Sequence, residues 1–241
     1  MKNLILMFVF IFIVTSSLYS QHKKKRNDSS KKNENVATWF FLTGAGSVGN
    51  SLMLNDQIGN TDMDMSYVNV MNSFDIDIGA NFPFNAGIMI GLGKSTYGQK
   101  FTYNDQELKL ALSSFDTYFL LRGYSNGPYV EIGPKFSKLT KIPSLETKNQ
   151  YRERQTSILF GFGGSLYWHK NFDVSLGARL SYTFAIMEED NYPFTPIYSS
   201  SGFDAFSQTS MFQAQLRLSL CWHIGYFATA HCDRHGEFLL F

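Results

Sequence analysis

The chain has 241 residues, of which 16% are aromatic (23 Phe and 13 Tyr) and only 17% charged, with a formal net charge of +1. One domain is the simple expectation for this length, and after the N-terminal stretch no apolar run approaches the ~18–20 residues of a membrane helix. The composition suits many strands facing apolar surroundings and gives no sign of a nucleic-acid partner.

Residues 1–20 read as a cleaved secretory signal peptide. Lys2 supplies the positive start, Leu4 to Val14 form an apolar core too short to span as a helix, and Thr15 to Ser20 form a polar, small-residue exit before Gln21. No cysteine stands at the expected mature N-terminus, which argues against a lipid anchor. Residues 21–36 set six cations, Lys23, Lys24, Lys25, Arg26, Lys31 and Lys32, against Asp28 and Glu34. This stretch lacks interleaved aromatics and precedes an exported domain, so it is expected to be a basic, disordered periplasmic leader. With it and Lys2 set aside, residues 37–241 carry a net −4.

From Trp39 onward the chain is a series of extended runs whose side chains alternate between two faces. Residues 38–48 are apolar on both faces and leave their facing open. Run 67–81 sets Phe74, Ile76, Ile78 and Ala80 against Ser73, Asp75, Asp77, Gly79 and Asn81. Run 86–97 sets Ala86, Ile88, Ile90 and Leu92 against Gly87, Met89, Gly91, Gly93 and Ser95. In run 107–122, Leu108, Leu110 and Leu112 share a face and the phase changes near Ser113-Ser114. A bulge there would turn Phe115, Thr117, Phe119 and Leu121 outward and Asp116, Tyr118 and Arg122 inward.

Run 129–138 sets Val130, Ile132, Pro134 and Phe136 against Glu131, Gly133, Lys135 and Ser137, with Pro134 expected at a bulge or near the rim. Run 155–168 offers Ile158, Phe160, Phe162, Leu166 and Trp168 to the outside. Run 172–187 does so with Phe172, Val174, Leu176, Ala178, Leu180, Tyr182, Phe184 and Ile186, and turns Asp173, Ser175, Gly177, Arg179, Ser181 and Thr183 inward.

The last run, 211–227, alternates most cleanly: Phe212, Ala214, Leu216, Leu218, Leu220, Trp222, Ile224 and Tyr226 on one face, Gln213, Gln215, Arg217, Ser219, Cys221, His223 and Gly225 on the other. Strands in soluble domains usually run about 5–6 residues, whereas a tilted strand crossing a bilayer core needs about 9–11. In lipid every backbone polar group must be paired. The eight runs are therefore predicted to close as an all-β, eight-stranded antiparallel up-and-down transmembrane β-barrel over residues 37–227, followed by a C-terminal tail, 228–241.

Connectors support this reading, because long ones (49–66, 98–106, 139–154, 188–210) alternate with short ones (82–85, 123–128, 169–171). The alternation places both termini at the periplasmic end. A water-soluble lipocalin-like barrel has no reason to alternate its loops in this way, or to point Trp, Phe and Leu outward while Arg and Asp point in.

These features, together with the segment Gly127-Pro128-Tyr129-Val130-Glu131-Ile132-Gly133-Pro134, resemble the small outer-membrane β-barrel domain family of Gram-negative bacteria, OmpA/OmpX-like in architecture and PorT-like in sequence style. The resemblance covers roughly residues 37–227. It implies residence in the cell outer membrane, contact with outer-membrane lipid and lipopolysaccharide, and passage through the barrel-assembly machinery. One feature departs from the family: its closing strand usually ends the chain on an aromatic residue, whereas here fourteen residues follow Phe227.

An eight-stranded lumen is just wide enough to be filled by side chains. Asp75, Asp77, Glu131 and Asp173 face Lys135, Arg179 and Arg217 there, with Asp116 and Arg122 as further candidates, and this set reads as a structural charge network. A structural or interaction role is expected, with a small passive pore or an accessory of a secretion or assembly machine as alternatives. No catalytic residue, cofactor or metal is expected; the histidines His169 and His223 sit towards the periplasmic end, away from outer-surface lipid chemistry.

Cys221, His223, His231, Cys232 and His235 suggest metal or disulfide chemistry. However, Cys221 lies about 20 Å up the strand from Phe227 at ~3.4 Å per residue, and the five residues back to Cys232 reach only about 17 Å. Acidic residues of the first long loop (Asp56, Asp62, Asp64) read as solvated. The aromatic last loop (Tyr192, Phe194, Tyr198, Phe203, Phe206) is the better candidate for contact with a partner or ligand, and a protein partner is expected on either the extracellular or the periplasmic side.

Overall fold

A computed structural model describes residues 37–55, 64–82, 85–103, 106–124, 128–142, 151–168, 171–187, 209–229 and 236–240. The expected signal and leader, His169, the aromatic last loop, and His231, Cys232 and His235 lie outside the described residues.

The strands are β1 (Ala37–Leu54), β2 (Asp64–Met65), β3 (Val70–Phe82), β4 (Ala86–Tyr103), β5 (Gln106–Tyr124), β6 (Pro128–Lys141), β7 (Arg154–Trp168), β8 (Phe172–Thr183), β9 (Ser210–Thr229) and β10 (Gly236–Leu240). Strand β1 pairs with β3, each later strand through β9 pairs with the one before, and β9 returns to β1 from Ala37↔Ala228 to Leu54↔Ser210. All of these pairings are antiparallel. The result is a closed ring of eight strands, β1 and β3 to β9, in up-and-down order. Closure leaves these strands no unpaired edge along the ring, the condition that a sheet with an apolar outer face must meet.

Alternation sets the two faces. Phe74, Ile76 and Ile78 on β3, Ile88, Ile90 and Leu92 on β4, and Leu216, Leu218, Leu220 and Trp222 on β9 are all exposed on the outer surface. Asp75, Asp77, Glu131, Lys135, Arg179 and Arg217 are buried inside. Strand β1, whose facing the sequence leaves open, turns Phe41, Thr43, Ala45 and Ser47 inward.

Three expectations about phase are corrected by the pairings. In β5 there is no change of phase: its ladder with β4 runs unbroken through Thr96↔Ser113 and Ser95↔Ser114. The irregularity lies in β6, where Ser113↔Lys141 and Ser114↔Leu139 leave Thr140 as the extra residue. Leu110 and Leu112 therefore share the inward face with Asp116 and Tyr118, and Leu112 is 0% exposed. In β7 an extra residue, Leu166, separates Ser165↔Ser175 from Tyr167↔Val174. The phase reverses there, so Trp168, expected to face outward, lies at the mouth against His223, ring centroids 4.9 Å apart and planes tilted by 42°. Beyond β8, Ile186 also leaves the expected outer face and is fully buried.

Two connections differ as well. The expected long loop 98–106 is instead a continuation of the β4–β5 ladder up to Tyr103↔Gln106. Residues 96–103 interleave Thr, Gln and Lys with Tyr97 and Phe101 and so hide the strand period, yet the ribbon persists because Tyr97, Gln99 and Phe101 stay buried on its inner side. Pro134 lies mid-strand rather than at a bulge or rim. It pairs with Ile158 on one side, and on the other the ladder skips from Tyr118↔Lys135 to Leu121↔Ile132, where proline has no N–H to donate.

The tail is not simply solvated. Strand β9 extends beyond its last pair with β8, Phe172↔Trp222, and β10 folds back along Gly225 to Thr229 to cover part of that overhang.

The corrected phase of β5 makes a prediction. Leu112→Ala should cost about 2–5 kcal/mol in denaturant unfolding of the folded barrel, the range for truncating a fully buried leucine, while Leu121→Ala, on the outer face, should cost clearly less.

Candidate functional site in the barrel lumen

The inward side chains form layers along the barrel. At the end that carries the long connectors, Met53, Met71, Tyr97, Phe101, Leu110, Leu112, Leu139, Tyr151, Ile186, Met187 and Met211 pack into an apolar plug. Towards the opposite end, where the short turns lie, Phe41, Met89, Tyr118, Leu120, Leu159 and Cys221 form a smaller cluster. A belt of buried charge lies on the turn side of the plug and interleaves with the smaller cluster: Tyr118 belongs to both, and Arg122 lies 5.6 Å over the Phe41 ring.

The belt is assembled by a rule of alternating size around the ring. Arg217 on β9 reaches across the small Thr43, Ala45 and Ser47 of β1 to β3, where its Nη2 lies 2.6 Å from Asp75 Oδ1 and 2.5 Å from Asp77 Oδ2. Tyr118 on β5 crosses Gly91 of β4 to donate its hydroxyl proton to Asp77. A Cβ at Gly91 would stand 2.2 Å from the Tyr118 ring and 2.3 Å from Asp77 Oδ1. Arg179 on β8 crosses Gly161 of β7 to Glu131 on β6, with Nε donating to Oε1 at 2.6 Å. A Cβ at Gly161 would lie 2.6 Å from that same oxygen. The Arg217–Asp75, Arg217–Asp77 and Arg179–Glu131 pairs thus each span one intervening strand whose side chain is small or missing.

Arg179 links the groups. Its Nη1 donates to the Tyr118 hydroxyl at 3.0 Å and lies 3.6 Å from Asp75 Oδ1, and its guanidinium covers the Tyr118 ring at 4.8 Å. Arg122 lies 3.6 Å from Glu131 Oε2 and 4.2 Å over the Tyr129 ring. Lys135 sits 3.6 Å from Asp116 and donates to Gln213 Oε1 at 3.0 Å, while Ser95 and Ser114 donate to the Asp116 carboxylate at 2.5 and 2.7 Å.

Among the described residues, four belt carboxylates (Asp75, Asp77, Asp116, Glu131) face four belt cations (Arg122, Lys135, Arg179, Arg217). Asp173 lies apart at the turn end, 3.2 Å from His223 Nε2. Gln213 and the serines around Asp116 have no charge to draw attention in the sequence. Their inward phase next to a buried ion pair is the signal that would find them. The apolar plug is legible only once the phase of β5 is known.

A cavity of about 20 Å³, lined by Asp75, Asp116, Tyr118, Lys135, Arg179 and Gln215 among others, opens within the belt. That is room for about one water molecule and nothing larger.

No protein-family model matches the sequence, and no curated protein sequence matches it. Among solved structures the chain is similar to the outer membrane protein OprG from Pseudomonas aeruginosa (TM-score 0.42, 9% identity, 78% of this chain and 97% of that one). It is also similar to Neisserial surface protein A (TM-score 0.39, 11% identity, 76% and 96%) and to the outer membrane protein AlkL (TM-score 0.33, 11% identity, 87% and 99%). The fold is an eight-stranded antiparallel barrel. At such scores and identities the likenesses say nothing of role, and the strand count rests on the pairings described above.

A buried network of this kind is costly to break from one side. Arg217→Met leaves Asp75 and Asp77 facing each other with their nearest cation gone, and should cost about 3–5 kcal/mol in urea unfolding. Adding Asp77→Asn should recover most of that loss, because the belt then buries three carboxylates against three cations again.

Proposed function

We propose that the chain is an outer-membrane β-barrel protein of a Gram-negative envelope, with a structural or interaction role and a lumen filled by its own side chains. The single observation that carries this reading is the inversion of the water-soluble pattern. The outer wall is apolar around the ring, from Phe74, Ile76 and Ile78 to Leu216, Leu218 and Leu220, while Asp77, Glu131, Arg179 and Arg217 are buried inside.

The height of the apolar wall supports it. On β9 the outward residues run from Ala214 to Trp222, nine positions, which suits a tilted crossing of a bilayer core. Towards the long-connector end the outer face turns polar at Asn72, Lys94, Lys138 and Arg154. With an even number of strands, both ends of the barrel chain leave at the short-turn end, which this reading makes periplasmic.

Two closures of the lumen favour a structural or interaction role over passive transport. The apolar plug fills the long-connector end, and the charged belt leaves space for about one water. The belt charges are paired with one another, so the reading assigns no reaction to them. Outer-membrane lipid and lipopolysaccharide would surround the wall, and a protein partner would be met at the long connectors.

Three measurements test the proposal. The purified protein should show heat-modifiable gel mobility and partition with outer membranes. Leu218→Arg should destabilise the bilayer-inserted barrel by about 2–4 kcal/mol, the cost of a cation near mid-membrane on the lipid face, whereas a water-soluble barrel would tolerate the change. In planar bilayers no stable single-channel steps should appear, and regular steps would replace the filled-lumen reading with that of a pore.

A further inference from the structure

At the turn end of the lumen, outside the charged belt, three side chains of different chemistry converge. Asp173 on β8 is the direct cross-strand partner of Cys221 on β9, and His223 lies two residues further along the same inward face. Directly opposed residues bring their Cβ atoms within about 4.5–5.5 Å, so the local geometry of two paired strands suffices to gather the trio. One carboxylate oxygen, the thiol sulfur and one imidazole nitrogen all lie within 4.8 Å of one another.

A second observation separates this cluster from an ordinary ion pair. His223 is 4% exposed, and neither of its ring nitrogens makes a hydrogen bond among the described residues. Its Nε2 is 3.2 Å from Asp173 Oδ2 but lacks the alignment of a hydrogen bond. Trp168 lies against the imidazole with its ring tilted by 42° and its centroid 4.9 Å away, and Trp39 meets it edge-on at 6.3 Å; these contacts pack the ring without pairing its nitrogens. A buried imidazole in this condition is poorly explained as packing, since an unmatched buried polar group costs about 1–3 kcal/mol. Beside it, Cys221 is a buried free thiol.

We infer that Asp173, Cys221 and His223 bind a divalent transition-metal cation of the zinc class. Thiolate, imidazole and carboxylate together form a borderline-soft donor set that suits zinc, with bonds of about 2.3 Å to sulfur and about 2.0–2.2 Å to nitrogen and oxygen. Magnesium and calcium prefer all-oxygen shells and do not fit it. Binding would form the metal–sulfur bond as the thiol proton leaves to solvent, and three protein donors leave a fourth position for water. The Asp173 side chain is 12% exposed, which opens the site towards the mouth. The inference needs only the barrel geometry and does not depend on the compartment.

Cobalt(II) is the probe. Added to the chelator-treated, folded full-length protein in detergent, it should give a thiolate-to-cobalt charge-transfer band that saturates at one equivalent and is displaced by zinc. Cys221→Ser should abolish the band, Asp173→Asn should weaken cobalt binding by about 10-fold or more, and Cys232→Ser should leave both unchanged, with heat-modifiable mobility verifying each fold. Absence of the band in the unaltered protein, its persistence in Cys221→Ser, or its loss in Cys232→Ser would each overturn the three-donor site.

Discussion

A sheet whose outer face is oily cannot also leave backbone N–H and C=O groups open to that side, because each unpaired group in an apolar medium costs several kcal/mol. The molecule answers this constraint by closing β9 onto β1 along the whole of β1. Its other features follow from closure. Eight strands fix a narrow lumen, the period of two sends every second side chain into it, and whatever points inward must fit and be satisfied there. Even the tail follows the same logic, since β10 pairs with part of the edge that β9 leaves beyond the end of β8.

Inside the ring, size and charge are solved together. Long cationic side chains on β8 and β9 meet carboxylates two strands away, and the strand between contributes glycine, alanine, serine or threonine. Such a network adds little net stability over a well-packed apolar core, but it penalises any other arrangement. A one-residue slip of β9 would move Arg217 to the outer wall and strand Asp75 and Asp77 without it. The belt thus acts as a lock on register, while the apolar plug contributes packing. The plug also gives the wall's rule an exception: at the long-connector end the interior is oily too.

Much of this was legible in the sequence, and the reasons differ by element. Strands with a polar inner face and an oily outer face, such as β8 and β9, declare their facing, and β9 declares its extent to within two residues, whereas β8 ends at Thr183, short of the run 172–187. Strand β5 misleads because Leu110 and Leu112 are apolar on the inner side, so an outward reading of them demands a phase change that the pairings do not contain. Trp168 and Ile186 read as outward in the sequence because the extra residue at Leu166 and the end of β8 at Thr183 leave no mark in composition. The 98–106 segment reads as a loop because residues with polar outer neighbours lose the period that marks a strand. For the lumen, inward phase identified the charged residues, but which carboxylate meets which cation depends on register and on the glycines between them, and no single strand carries that information.

The account depends on which medium each face of the wall meets. Spin labels placed one at a time along Ala214 to Trp222, in a Cys221→Ser, Cys232→Ser background reconstituted in bilayers, would read that directly. The account predicts a period of two, with labels at 214, 216, 218, 220 and 222 accessible to oxygen but shielded from a water-soluble paramagnet, and labels between them shielded from both. Labels at the even positions that respond to the water-soluble reagent and not to oxygen would contradict it.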